Sequence, residues 1–306
     1  MLKETKVGWI GLGVMGSSMA KHIQDAGYSL SVYSRTKEKA SFLLNQGAKW
    51  ENSPAELVNK VDFVFSMVGY PEDVQNIYFG NNGIFSGYCT DKILIDMTTS
   101  KPEIAETVAL HGKEHGAYAL DAPVSGGDIG AKNRSLAIMC GGEKNIYEKA
   151  YPLLEEMGAN IQYFGGAGSG QRVKMSNQIL IASTMIGTVE SLLYAESAKL
   201  DLEKVIGLIG QGAAGCWSIT NLGPRMINQD WEPGFYVEHF IKDIGIALDD
   251  AQKMGLNLKG LELASSFYQR VQDAGYQKKG TQVLLKVLKS LNDQSCSFAK
   301  RGFPNP

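Results

Sequence analysis

The chain has 306 residues, enough for about two domains. Hydrophobic content of 44% and charged content of 20% are ordinary for a globular protein, and a formal net charge of −2 gives no electrostatic footprint for DNA or RNA. Cys89, Cys140, Cys216 and Cys296 stand far apart without a C-x-x-C, and the scattered histidines form no H-E-x-x-H, so neither a zinc knuckle nor a dithiol redox pair is suggested.

Lys6 to Ile10 is an apolar run that predicts a strand. Gly11-Leu12-Gly13-Val14-Met15-Gly16 follows at G-x-G-x-x-G spacing, and an amphipathic run from Ser17 predicts a helix to about Asp25, closed by Ala26-Gly27. In that context Gly11 allows the turn, Gly13 lets a pyrophosphate approach the backbone, and Gly16 lets helix and strand pack closely. The phosphates then meet free N–H groups at the positive end of the helix. A strand so near residue 1 leaves no room for a secretory leader, and the cytoplasm is the expected compartment.

Ser29 to Tyr33 predicts a second strand, whose end faces the adenosine ribose in a dinucleotide fold. An acid there favours NAD(H), whereas a nearby Arg accommodates a 2′-phosphate. This chain has Ser34-Arg35-Thr36 and no acid, which favours NADP(H) over NAD(H). The alternative is that Arg35 is a solvated turn residue.

Lys37 to Gln46 predicts a helix, Ala48 to Trp50 a short strand, and Ser53-Pro54 a helix start. Asp62 to Val68 and Lys92 to Met97 are nearly all apolar, as strands covered on both faces must be. Their exits lie on the carboxyl edge, where ligands bind in open α/β sheets, so Met67, Val68, Thr98 and Thr99 are candidates for lining the nicotinamide. Pro102 to His115 predicts a helix, Ala117 to Ala122 a strand. Leu136 to Cys140 and Asn160 to Phe164 predict strands around a Tyr147 to Met157 helix. The alternation predicts a Rossmann-type, doubly wound parallel sheet over residues 1–165.

The glycine run 165–170 marks a boundary, and beyond it no strand is expected. Residues 166–294 read as an all-α domain. It has a long linking helix over 171–200 and further helices near 202–211, 221–227, 237–254, 261–274 and 282–292. Residues 295–306 read as a loose tail. Ile179 to Leu193, the most membrane-like stretch, contains Ser183, Thr184, Thr188, Glu190 and Ser191 and reads as a buried helix.

Three stretches carry candidate chemistry. Ser125-Gly126-Gly127, at a strand exit, exposes consecutive N–H groups suited to a carboxylate, or is a plain turn. Lys174, Asn177 and Gln178 share one helix face among apolar neighbours, a setting that suits the lysine to proton transfer unless it snorkels to water. In Phe235-x-x-x-His239-x-x-Lys242-Asp243, His239, Lys242 and Asp243 share another face, which taken alone reads as solvated charge.

Together these stretches resemble the β-hydroxyacid dehydrogenase family, whose members include 3-hydroxyisobutyrate dehydrogenase and tartronate semialdehyde reductase. The resemblance rests on G-L-G-V-M-G-S-S-M-A at 11–20, D-A-P-V-S-G-G at 121–127, G-Q-R-V-K-M-S-N-Q at 170–178 and K-D at 242–243. It covers all but the last dozen or so residues. It implies that Ser125, Gly126 and Gly127 bind the substrate carboxylate, and that Lys174 is the acid/base with Asn177 orienting substrate. It also places Lys242 near nicotinamide and substrate, with Asp243 holding it and Phe235 closing over the ring. The partners implied are a small hydroxyacid or aldehyde acid and further copies of the chain in a homodimer or homotetramer.

His22 stands where the family often has Asn, which reads as a packing change. Asn177 and Ile181 stand where 6-phosphogluconate dehydrogenases place a His and a catalytic Glu, so phosphogluconate decarboxylation is not expected. An imine or neutral-carbonyl reductase on the same fold, and a non-catalytic cofactor-binding module, are the competing readings. Lys174 argues against the first, and Lys174 with Asn177 against the second.

Overall fold

The computed structural model describes residues 4–299, with side chains through residue 292. The chain divides into two compact units, Met1–Met175 and Ser176–Pro306. The division falls inside the long helix rather than at the glycine run before it.

The first unit opens with β1 (Lys6–Ile10), α1 (Val14–Asp25), β2 (Ser29–Tyr33), a 3-10 turn leading into the short α2 (Ser41–Leu44), and β3 (Lys49–Trp50). Then come α3 (Pro54–Val58), β4 (Phe63–Ser66), α4 (Pro71–Phe79), β5 (Ile93–Asp96), α5 (Pro102–Glu114) and β6 (Tyr118–Asp121). The order β3-β2-β1-β4-β5-β6 is parallel throughout. Side chains alternate between its two covered faces. Trp9, Phe65, Ile95 and Leu120 are buried on one face, and Val64 and Leu94 on the other. Ser53 caps α3, its side chain accepting the Glu56 N–H, and Gly27 and Gly47 take φ of +90° and +98° after the helices they end.

Beyond β6 the largely parallel sheet becomes mixed. After β6 the chain forms β7 (Val124–Ser125), α6 (Gly127–Lys132), β8 (Leu136–Gly142), α7 (Lys144–Leu154) and β9 (Gly158–Tyr163). β8 runs antiparallel to both β6 and β7, while β9 is parallel to β8. The one-and-a-half-turn helix α6 is too short to carry the chain back across the sheet, so β8 returns antiparallel, as edge strands of mixed sheets do. Neither β7 nor α6 is legible in the sequence, because Gly126, Gly127 and Gly130 give α6 little helix propensity.

α8 (Ser169–Ser197) begins in the first unit and continues in the second. Among the described residues it is the one helix long and apolar enough to cross a membrane, yet Ala182, Met185, Val189, Leu192 and Ala195 along it are buried. The second unit continues with α9 (Leu202–Ile209), a π-helical turn over Ser218–Leu222, α10 (Gly223–Ile227), α11 (Val237–Lys253), α12 (Lys259–Asp273) and α13 (Leu284–Ala299). α11 and α12 pack through Phe240 and Tyr268, edge to face at 4.9 Å. Helix α13 runs through residues 295–299, which the sequence suggests as tail; the remainder of that expected tail, 300–306, lies outside the described residues.

Candidate active site

The glycine turn has the geometry its spacing predicts. Gly11 takes φ +96°, and a Cβ there would stand 2.2 Å from the Met67 carbonyl oxygen. A Cβ on Gly16 would stand 2.2 Å from the Gly11 carbonyl oxygen, so α1 can lie against β1 only with glycine there. Gly13 is different: nothing lies within 4 Å of its Cβ position. That open space sits at the N-cap of α1, where no side chain caps the first-turn N–H groups. Leu12 is buried, Val14 exposed and Met15 half-buried, so the side chains leave the backbone of the turn accessible. Below it, the buried Trp9 stacks on Phe65 at 5.3 Å and its indole N–H donates to the Gly11 carbonyl at 3.0 Å. An open cradle with unpaired N–H groups at a helix start fits a dinucleotide pyrophosphate.

At the end of β2, Ser34 is buried while Arg35 and Thr36 are exposed. The Arg35 guanidinium donates to Asp73 Oδ1 at 2.9 Å. Asp73 lies in the first turn of α4 and its other oxygen accepts the Tyr70 N–H at 3.2 Å.

The carboxyl edge of the sheet carries a polar row. Ser66, Asp96 and Asp121, the last residues of β4, β5 and β6, are register partners across the three strands. Asp96 Oδ1 accepts from Ser66 Oγ at 2.8 Å and from the Thr98 N–H at 3.1 Å. Ser66 Oγ also meets Tyr78 Oη at 3.2 Å. The Val68 N–H donates to Thr98 Oγ1 at 3.0 Å, which brings together the two exits expected to line the nicotinamide. Met67, Val68 and Thr99 are half-buried and Thr98 is buried. Burial pushes the Asp96 carboxyl up to about 6 against the pull of the Thr98 and Ser66 hydrogen bonds, and Asp121 beside it adds to the rise. Burial likewise raises Asp121, opposed by backbone N–H donors.

Ser125, Gly126 and Gly127 form the turn from β7 into α6. Gly126 and Gly127 take φ of +131° and +64°, which favour glycine over any L side chain. Asp128 follows at once and pairs with Lys132 at 3.1 Å. His22 on α1 reaches this segment. Its Nδ1 accepts from Arg134 Nε at 3.0 Å, so the ring proton sits on Nε2 and donates to the Ala131 carbonyl at 2.8 Å. The residue read as a packing change thus ties α1 to α6.

On α8, Lys174 is buried at 6% exposure rather than snorkelling. One turn on, Asn177 Nδ2 donates to Gln178 Oε1 at 2.7 Å, and Gln178 Nε2 donates to Asp243 Oδ2 at 2.7 Å. Asp243 is 1% exposed and its Oδ1 lies 3.1 Å from Lys242 Nζ. Asn177, Lys242 and Asp243 are therefore joined through Gln178. Buried Asp243 is not the solvated charge that its stretch alone suggests. Phe235 is exposed at 37% and stacks on His239 at 6.4 Å. Burial, then the neighbouring Lys242 charge, lowers the His239 pKa. Among the described residues no three His, Cys, Asp or Glu side chains form a group able to hold a metal.

Spacing alone does not reveal Ser66, Asp73, Asp96 or Asp121 as parts of this architecture. The available signal is an acid ending an otherwise apolar strand, at Asp96 and Asp121.

The family comparisons agree with this architecture. Residues 6–165 match the NAD binding domain of 6-phosphogluconate dehydrogenase, and residues 168–288 match the NAD-binding domain of NADP-dependent 3-hydroxyisobutyrate dehydrogenase. A probable 3-hydroxyisobutyrate dehydrogenase-like protein of Arabidopsis thaliana is 46% identical over 95% of this chain and 87% of its own length. The 2-hydroxy-3-oxopropionate reductase of Escherichia coli is 36% identical over 83% of this chain and 86% of its own. The solved 3-hydroxyisobutyrate dehydrogenase of Mycobacterium tuberculosis with L-serine superposes at a TM-score of 0.85 and 27% identity, covering 93% of this chain and 99% of that one. The fold and glycine cradle define a nicotinamide-dependent oxidoreductase. The chain belongs to the β-hydroxyacid dehydrogenase family.

Proposed function

We propose that this chain interconverts a short aldehyde acid and the matching β-hydroxyacid, prefers NADP(H) to NAD(H), and uses Lys174 as its acid/base. The observation that carries the reading is the buried Lys174, on a helix whose first turn is hydrogen-bonded to the Thr98–Ser100 segment at the nicotinamide side of the sheet. The reductase and dehydrogenase names of the relatives, and the L-serine of the Mycobacterium tuberculosis structure, support a small hydroxyacid substrate.

A nicotinamide cofactor held on the glycine turn would supply the hydride that reduces the carbonyl carbon. The substrate carboxylate rests on the N–H groups of Ser125, Gly126 and Gly127. As the C–H bond forms, the carbonyl π pair moves onto oxygen and takes a proton from Lys174 Nζ, giving the hydroxyl. Lys174 then regains a proton from water. Asn177 Nδ2 and the Lys174 ammonium stabilise the developing negative charge. Asp243 orients Asn177 through Gln178 and keeps Lys242 in place. Phe235 shields the ring. Arg35, with Ser34 and Thr36, takes the 2′-phosphate. Assembly as a homodimer or homotetramer in the cytoplasm completes the reading.

The test is a panel of small aldehyde acids, their hydroxyacids and uncharged analogues, each with NADPH/NADP+ and NADH/NAD+. Oxidation of NADPH with aldehyde acids is expected to be fastest. Turnover confined to imines or neutral carbonyls would overturn the reading.

A further inference from the structure

We propose that Gln171 and Asp121 are positioning residues that fix Lys174 relative to the Thr98–Ser100 segment, and so set the geometry of proton delivery. The proposal rests on the assignment of Lys174 as acid/base.

Gln171 is 0% exposed and one turn before Lys174 on α8. Its side-chain amide bonds the exit of β5 twice. Its Oε1 accepts the Ser100 N–H at 2.9 Å and its Nε2 donates to the Thr98 carbonyl at 2.7 Å. The amide behaves like one more residue of backbone pairing, and its two ends are distinct, so the bond fixes orientation as well as distance.

Asp121 grips the same turn from below. Its Oδ1 accepts the Gly168 N–H and its Oδ2 the Gln171 N–H, both at 2.8 Å. A buried carboxylate at the positive end of a 29-residue helix neutralises N–H groups that the helix cannot pair itself. Two glycines let the helix come this close. A Cβ on Gly170 would stand 2.2 Å from the Met139 carbonyl oxygen, and one on Gly141 would stand 2.6 Å from Asp121 Oδ1.

Asp121 also opens the D-A-P-V-S-G-G stretch that ends in the proposed carboxylate nest. One side chain therefore joins the strand leading to the nest, the helix carrying the lysine and, through Gln171, the loop beside the nicotinamide. Mispositioning of about an ångström at a reacting centre costs roughly a hundredfold in rate. That loss falls on turnover rather than on binding.

The test is a double-mutant cycle between Gln171→Met and Lys174→Ala, read by kcat, KM and NADPH binding. Gln171→Met removes both bonds and keeps side-chain length. We expect kcat to fall about 10- to 100-fold, with NADPH affinity and substrate KM within about threefold, and no further loss in the Lys174→Ala background. Gln171→Glu supplies a second readout. Its carboxyl can donate to the Thr98 carbonyl only when protonated, so its kcat relative to wild type should recover as pH falls, while that of Gln171→Met stays low. Asp121→Asn, which sets an amide donor against one helix N–H, should lower kcat in the same pattern. If Lys174→Ala loses turnover while Gln171→Met keeps it, or if the two losses simply multiply, the positioning role is overturned and the lysine assignment stands. If Lys174→Ala turns over normally, the lysine assignment is overturned and the positioning role with it. Should Gln171→Met fail to fold, a Gln171→Glu ratio that is flat with pH overturns the proposal by itself.

Discussion

Arg35 and Asp73 form an ion pair of unequal exposure: the arginine side chain is 81% exposed and the aspartate 17%. The guanidinium is thus held over the start of α4 by a carboxylate that, on the proposed NADP(H) reading, would share it with the 2′-phosphate. Such an exposed pair is worth at most about 1 kcal/mol, whereas a charge-assisted phosphate contact is worth roughly 1.5–3 kcal/mol. Arg35→Ala is expected to weaken NADPH about 10- to 100-fold and leave NADH nearly unchanged. Asp73→Asn should tighten NADPH by about two- to fivefold. Equal weakening of both cofactors in Arg35→Ala would remove the 2′-phosphate assignment.

If Lys174 is the acid/base, Lys174→Ala should lower kcat by roughly 10²–10⁴-fold while NADPH still binds, since the residue lies on α8 and outside the glycine turn. Stopped-flow hydride transfer and equilibrium fluorescence titration separate the two. A variant within twofold of wild-type kcat would take the lysine out of the mechanism.

The Ser125–Gly127 turn should make the enzyme discriminate acids from neutral analogues. Two charge-assisted bonds at about 1.5–3 kcal/mol each predict a preference above a hundredfold in kcat/KM for a semialdehyde acid over its amide. Gly126→Val puts a β-branched residue at φ +131° and should erase most of that preference. Wild-type indifference to the carboxylate would reduce the nest to a turn.

Asp96 makes stability depend on pH. Its carboxyl rises in the fold from 3.8 to about 6. The folded state therefore holds the proton more tightly than the unfolded chain. The associated stability is complete below pH 3.8 and is lost as pH rises through about 6. An elevation of this size corresponds to roughly 3 kcal/mol. Asp96→Asn keeps an acceptor for Ser66 and Thr98 and carries no charge. Urea unfolding should show it more stable than wild type near pH 8, with the gap closing towards pH 4. A gap independent of pH would contradict the buried-carboxylate account.

Local chemistry made the first half of the fold legible. β4 and β5 announce themselves by apolar runs, α3 by Ser53-Pro54, and the cradle by three glycines with distinct spatial duties. The β7–α6–β8 reversal was hidden because its helix is glycine-rich and its strand pairing is long-range. The Asp121 and Gln171 contacts were hidden for a related reason. Each joins residues 47 to 73 positions apart, and no periodicity encodes that. The Asn177–Gln178–Asp243 chain was half visible: helix spacing groups residues on one face, but not two helices around one carboxylate.

Trp9 gives the molecule a built-in optical reporter. Its indole is fully buried, stacked on Phe65, and hydrogen-bonded to the Gly11 carbonyl of the glycine turn. Any ligand that settles on the turn changes the local field around an emitter already shielded from water. Reduced nicotinamide, which absorbs where tryptophan emits, adds energy transfer. Cofactor arrival can therefore be followed in the unlabelled protein by quenching that is weaker in the Trp9→Phe variant, where only the other tryptophans report.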